Sequence, residues 1–313
     1  MSLDLLVITN AVTDRVYNIP VAELEALGLK KGQEKRTKDP QVLAEKLAAY
    51  PLQFESPAGS PANVGFSCAA LGLKVGIIGS VGSDALGLAY KRKVEEYGMR
   101  DHLAITSGQS GVCYTFITED GERTFLNLMN AAPTFNLAAA PYEANIIHTS
   151  CYEMVGRSDD FIPYFERAKK NGVRISLDLA NPHTCERIGD NLATILEMTD
   201  ILFASPEEYE AAIGKPFTTY DKHPFRHRVM CLKFGKEGSL VVMDGHTVEI
   251  PIVPTTVVNT NGAGDSYAAG FLRRYIRGDR YVDCGNYGSE IASRVVGQVG
   301  ACLPKDYLVS KDF

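Results

Sequence analysis

Several classes of protein are excluded by what this 313-residue sequence does not contain. No stretch is apolar for long enough to span a bilayer, and the start, MSLDLLVITN, carries no basic segment and only a short apolar run, so the expected location is the cytoplasm. There is no excess of positive charge: 32 Lys and Arg against 38 Asp and Glu leave a net charge of −6, which gives no footprint for nucleic acid or an anionic membrane. The seven cysteines, at 68, 113, 151, 185, 231, 284 and 302, contain no CxxC pair and read as reduced thiols. His183 with Cys185, and His223 with His227, lack the further ligands a metal centre needs. Internal repeats and low-complexity linkers are absent as well.

What is present is an alternation. The β-branched run Leu5 to Thr9 reads as a buried parallel strand, and Asp14 falls just beyond its carboxyl end, where open α/β sheets bind ligands. A helix is expected near Val42 to Tyr50, a helix of small residues from Ala62 to Leu71, and a strand from Val75 to Ser80 followed by a helix from Leu88 to Tyr97. Glycines at 76, 79 and 82 have the spacing GxxGxxG, not that of a dinucleotide fingerprint, and no acidic partner follows, which argues against a nicotinamide-dependent oxidoreductase. Between Gly111 and Met129 two β-rich runs flank the turn signal at Glu119 to Glu122, a hairpin of the kind that makes lids.

Alternation resumes with strands at Ile146 to Thr149, Val173 to Leu177, Ile201 to Ala204 and Val229 to Phe234, and helices at Phe161 to Asn171 and Ile188 to Leu196. Ser205 and Glu208 form a capping box for the next helix. A hairpin about Asp244 and Gly245 and a helix from Tyr287 to Gly297 complete the pattern. The rhythm predicts one α/β domain over 1–313, a doubly wound, mostly parallel sheet with helices on both faces and a small β lid.

The stretch around which the rest is organised is VVNTNGAGDSYAAGF, Val257 to Phe271, expected as strand, tight turn and helix. Gly262 and Gly264 let the amides around Ala263 converge at the helix N-terminus into an anion-binding nest. A carboxylate at Asp265 repels a phosphate there unless it has another task, such as taking a proton. Its alternative is a plain helix cap, and on this stretch alone the two readings are even.

The chain resembles the ribokinase-like, or PfkB, family of carbohydrate kinases, and is nearest in motif style to its adenosine-kinase branch. The resemblance is carried by NTNGAGD at 259–265, AGSPANVGFSCAALG at 58–72, VGSDALG at 81–87 and KFGKEG at 233–238, with LGLKKGQ at 27–33 pointing to the adenosine-kinase branch. It implies Asp265 as catalytic base and Gly262, Ala263 and Gly264 as the anion hole. Asp14, Gly59, Ser60 and Asn63 match the acceptor-binding positions, and Lys233, Gly235, Gly238 and Ser289 those beside ATP. Glu208 matches the residue that organises Mg2+, through water, and lid segments are implied at about 11–57 and 108–130. Two positions depart from the family pattern: Ser205 stands where it has Asn, and Asn259 where it has Asp, which weakens the case for K+ activation.

The implied activity is transfer of the γ-phosphate of ATP to a primary hydroxyl of a small molecule, a nucleoside such as adenosine before a free sugar such as ribose or fructose. The alternative from another class is a catalytically silent nucleoside- or sugar-binding protein. Tyr114, Phe116 and Phe135 are read first as packed residues and second as stacking surfaces for a base. No nucleic acid or membrane partner is expected, and the assembly is open between monomer and homodimer.

Overall fold

In the computed structural model the described residues are 2–36, 47, 49–218, 229–243 and 245–308. Fourteen described strands follow one another along the chain: β1 (Leu3–Ile8), β2 (Val12–Asn18), β3 (Glu34–Arg36), β4 (Leu52–Ala58), β5 (Val75–Gly82), β6 (Arg100–Thr106), β7 (Gly111–Ile117), β8 (Arg123–Leu128), β9 (Ala144–Ser150), β10 (Arg174–Asp178), β11 (Ile201–Ala204), β12 (Val229–Lys233), β13 (Ser239–Met243) and β14 (His246–Ile250). They form two sheets. The larger has nine strands in the order β14-β13-β12-β11-β10-β9-β1-β5-β6, parallel except for the hairpin β13-β14 at one edge.

The strand period of two decides which side chains go to which face. In β1, Leu6 and Ile8 join Phe161, Phe165 and Ile195 from the helices Ser158–Lys170 and Asn191–Met198. Leu5 and Val7 point the other way, against Phe66, Phe271 and Cys284 of the helices Ser60–Ala70, Ala263–Ile276 and Tyr281–Val296. Both faces are covered, as the near-continuous apolar strands require.

The second sheet has five strands in the order β3-β8-β7-β2-β4. Here the same alternation separates a dry face from a wet one. Val112, Tyr114 and Phe116 of β7 pack with Leu126 and Leu128 of β8, Tyr17 and Leu24 in a private apolar cluster. Their neighbours Cys113, Thr115, Phe125 and Asn127 face a cavity between the two sheets. Tyr114 and Phe116 are therefore core residues, and Phe135, 3 % exposed, is core too, lying under the Arg157 guanidinium at 4.0 Å; none of the three faces the cavity.

Three expectations from the sequence need correction. Residues 251–258 form no strand: Pro251 and Pro254 remove ladder donors just after β14, and Val257 and Val258 are exposed. The helix expected at 188–196 is two helices, Pro182–Ile188 and Asn191–Met198, parted by Gly189 at φ 66°. The Tyr287–Gly297 helix begins earlier, at Tyr281. Residues 42–46 and 48 of the helix expected at 42–50, together with His223, His227 and Asp244, lie outside the described residues.

Candidate active site

The cavity has a volume of about 870 Å³ and is walled by the wet face of the small sheet and by the carboxyl ends of the large sheet's central strands. Asp14, Gly59, Ser60, Asn63, Gly262 and Asp265 all line it, so the structure brings together residues up to 251 positions apart in sequence, from 14 to 265. Two of these hold a third: Ser60 Oγ donates to Asp265 Oδ1 at 2.8 Å, and Asn63 Nδ2 to Oδ2 at 2.8 Å. Both donors sit in the first turn of the helix Ser60–Ala70. Gly59, at φ 121°, lets that helix start against β1; a Cβ here would lie 2.6 Å from the Asn10 carbonyl oxygen.

Asp265 is not a cap: no side-chain cap bond is made at the start of the helix Ala263–Ile276. Burial, and then the charge of Asp178, push its carboxyl up to about 6, against the pull of Asn63, Ser60 and Lys233. Asp14 is pushed up to about 7, chiefly by burial and also by the charge of Asp265, with Lys93 and Cys113 acting in the opposite sense. Two carboxyls facing one cavity with pKa values near neutrality suit proton transfer.

Beside Asp265 the backbone turns through Gly262 at φ 73°, and a Cβ there would meet the Ala301 carbonyl oxygen at 2.1 Å. The turn is possible only for glycine. Of the three amides in the expected nest, that of Ala263 donates to Thr260 O at 3.3 Å, while those of Gly264 and Asp265 have no acceptor among the described residues. These two amides, at the positive end of a 14-residue helix, are free to bind an anion.

Lys233 supplies a cation at the same point. Its Nζ donates to Asp178 Oδ2 at 2.7 Å and would stand 3.1 Å from a Cβ at Gly264. The Lys233 side chain thus stands beside Gly264 and away from the neighbouring Gly235–Gly238 turn, which begins and ends at positive φ. Ser289 Oγ donates to Pro251 O at 2.8 Å, beside the exposed strip that includes Ile252, Val253, Val257 and Val258. Lys233, Gly235, Gly238 and Ser289 do not line the cavity.

Glu208 closes the expected capping box: Ser205 N donates to its Oε2 at 2.7 Å and Ser205 Oγ accepts from its amide at 3.2 Å. Burial raises its pKa, while Lys233 lowers it. No group of three or more His, Cys, Asp or Glu among the described residues is arranged to hold a metal ion. Glu208 and Asp178 are nevertheless hard oxygen donors beside the anion hole, which fits a Mg2+ that keeps most of its waters.

Two residues of the site were missed in the sequence. Arg123, at the start of β8, donates from Nη1 to Thr260 Oγ1 at 2.9 Å and to Asn261 Oδ1 at 2.7 Å, and from Nη2 to Asn259 Oδ1 at 3.0 Å. It ties the small sheet to the loop 259–261 that leads into the helix Ala263–Ile276, and Asn259 accepts it as a neutral amide. Asn10 is 5 % exposed; its Nδ2 donates to Tyr152 O, its amide to Glu153 Oε1, and its Oδ1 has no donor. That oxygen belongs to a residue of the cavity wall and can accept from a ligand hydroxyl. A hairpin arginine and a strand-end asparagine are ordinary in sequence; only the fold shows what they meet.

A nine-stranded, doubly wound sheet with a five-stranded cover, two acceptor-free amides at a helix start and a carboxylate beside them suit a phosphotransferase acting on an alcohol group. The pfkB family carbohydrate kinase model matches residues 45–307, and the chain belongs to this family. It is similar to a nucleoside kinase of Methanothermobacter thermautotrophicus, 29% identical over 248 residues, covering 77% of this chain and 79% of the relative. It is also similar to an ATP-dependent ribose-1-phosphate kinase of Halopiger xanaduensis, 28% identical over 269 residues, with 82% and 86% covered. Among solved structures, an adenosine kinase from Sinorhizobium meliloti superposes with a TM-score of 0.87 at 25% identity, covering 99% of both chains. The chain is a nucleoside or sugar kinase, its substrate a small molecule, and its family implies ATP as phosphate donor. No described helix is long and apolar enough to cross a membrane.

Proposed function

We propose that the chain transfers the γ-phosphate of ATP to a hydroxyl on the sugar portion of a small acceptor, with Asp265 as catalytic base. The observation that carries this is the position of Asp265: a carboxyl raised to about 6, facing the cavity, one residue from the free amide of Gly264.

The acceptor's sugar lies against Asp14, Asn63 and Asn10, whose carboxylate, amide and carbonyl groups suit vicinal hydroxyls. Its reacting hydroxyl faces Asp265 and the terminal phosphate rests on the amides of Gly264 and Asp265. As the new P–O bond forms, the hydroxyl proton passes to Asp265 and the bond to ADP breaks; ADP carries away the electron pair. Lys233 and Arg123 add positive charge where the transferring phosphoryl group spreads its negative charge. Glu208 would hold a Mg2+, through water, that would supply charge neutralisation to the phosphates. Adenine lies along Ile252 to Val258 near Ser289. The small sheet is the lid, and its closure excludes water that would compete for the phosphoryl group.

Adenosine or a related nucleoside, the acceptor expected from the sequence, has support from the nucleoside kinase and adenosine kinase relatives, and Phe125 and Tyr152 on the cavity wall offer aromatic surface to a base. A sugar acceptor has support from the ribose-1-phosphate kinase. The test is acceptor-dependent ADP formation by the purified protein, with Asp265→Asn as control. In that variant kcat is expected to fall by about 10² to 10⁴, the range for a lost general base, with ATP binding retained. Unchanged turnover in Asp265→Asn removes the assignment. ATP or nucleoside binding without turnover in the native protein returns the silent-binder reading.

A further inference from the structure

The cavity wall holds two arginines that the phosphoryl-transfer chemistry does not use. Arg36 ends β3 in the small sheet, and Arg187 lies in the last turn of the helix Pro182–Ile188, below the large sheet's carboxyl ends. Both line the cavity that also contains Asp14, Asn63 and Asp265. Arg36 is partly buried and Arg187 exposed, and among the described residues neither guanidinium has a hydrogen bond or an ion pair. Burial disfavours the charge of Arg36, and the charge of Arg187 disfavours it further, while Glu34 and Glu153 act in the opposite sense.

The nearby carboxyls are committed elsewhere. Glu34 Oε1 accepts from Asn127 Nδ2 at 2.7 Å. Glu153, 2 % exposed, accepts from the Asn10 amide at 3.1 Å and from Ser150 Oγ, and burial pushes it up to about 7. Glu34 and Glu153 offset part of the cost of holding two like charges together, and an anion bound to both guanidiniums would offset more. A guanidinium fork matches the paired oxygens of a carboxylate or a phosphate.

We infer that the acceptor carries an anionic group, a carboxylate or a phosphate, at the end remote from its reacting hydroxyl, and that Arg36 and Arg187 hold this group between the two sheets. The inference rests on the kinase reading, and within it selects a charged sugar over a neutral nucleoside. Arg36 arrives on the lid and Arg187 on the fixed body, so a charged acceptor also draws the lid down over the site.

The test compares kcat/KM for four acceptors with ATP: D-ribose 1-phosphate, D-gluconate, adenosine and D-ribose. A charged acceptor is expected to exceed both neutral ones by about tenfold or more, the scale of one charge-assisted contact. The first two compounds separate phosphate from carboxylate recognition. In Arg36→Met and Arg187→Met, KM for the charged acceptor is expected to rise about tenfold or more relative to the change for adenosine, with Arg187→Lys recovering part of the loss. A best acceptor that is neutral, or a loss shared equally by all four, overturns the inference. If no acceptor yields ADP, the kinase reading fails separately, and calorimetric titration of inorganic phosphate decides the site. Binding weakened in Arg187→Met upholds it; equal binding in both proteins, or none in the native protein, overturns it.

Discussion

The two sheets meet at one cavity but bring different material to it. From the large sheet come groups whose positions are set by backbone: the amides of Gly264 and Asp265 at a helix start, and an aspartate pinned by Ser60 and Asn63 at 2.8 Å each. From the small sheet come the ends of side chains on alternate strand positions, among them Asp14, Arg36 and Asn127. The first set has no freedom to adapt. The second can be changed residue by residue without disturbing the dry face behind it, because successive side chains on a strand point to opposite sides. Chemistry on the large sheet and choice of acceptor on the small one is the division this suggests.

The sharpest way to break that division is at Gly262. Its φ of 73° and the 2.1 Å approach of the Ala301 carbonyl oxygen leave no room for a Cβ, so Gly262→Ala must move the loop that holds the free amides. Turnover is expected to fall by about 10² to 10³ for every acceptor alike, the effect of losing oxyanion-type donors. A steady-state assay in which only one acceptor suffers would show that the loop also selects substrates.

Arg123 is the residue on which the division is least clean, since it stands on the small sheet and binds the loop of the large one. Arg123→Gln is expected to lower kcat by about tenfold to a hundredfold, as one charge-assisted contact to the reacting groups is lost. Melting temperature should change little, because the contact is partly exposed. A rise confined to KM would place Arg123 with the selecting residues.

A smaller effect concerns pH. Asp265 is raised to about 6 and must be deprotonated to accept a proton, so kcat/KM should fall as pH drops through about 6, by tenfold per unit below it. Stability should run the other way. Glu153, raised to about 7 in the folded chain from 4.5, binds a proton on folding; the stability this brings is complete below its unfolded pKa and is lost as pH rises through about 7. Denaturant midpoints for native protein and Glu153→Gln, compared between pH 5 and pH 8, should therefore move in favour of the variant as pH rises. A constant difference would show that Glu153 does not titrate in this range.

Much of the large sheet was legible because its signals are local. Strand runs such as Leu5 to Thr9, the capping box at Ser205 and Glu208, and the glycines at 262 and 264 each declare themselves within a few residues. The small sheet declared only its hairpin. Its parallel pairings, β2 with β7 and β3 with β8, join segments about ninety to a hundred residues apart, as in Val12 with Gly111 and Glu34 with Phe125, and no local period reports them. Hence Tyr114 and Phe116 read correctly as packed residues without a face to assign them to, while Phe125, on the wet face, went unnoticed. The same holds for Asn10, Arg36 and Arg187, whose significance lies in what stands opposite them. The β-branched run before Asn259 misled for a different reason: two prolines outweighed its strand propensity.

The carbonyl of Ala301 presses on the one residue that shapes the anion hole. Order of synthesis follows from this. Asp14 leaves the ribosome first and Asp265 some 250 residues later, yet the turn at Gly262 gains its backstop only when residue 301 has emerged. A nascent chain can thus complete both sheets while the turn at Gly262 still waits for its neighbour at residue 301.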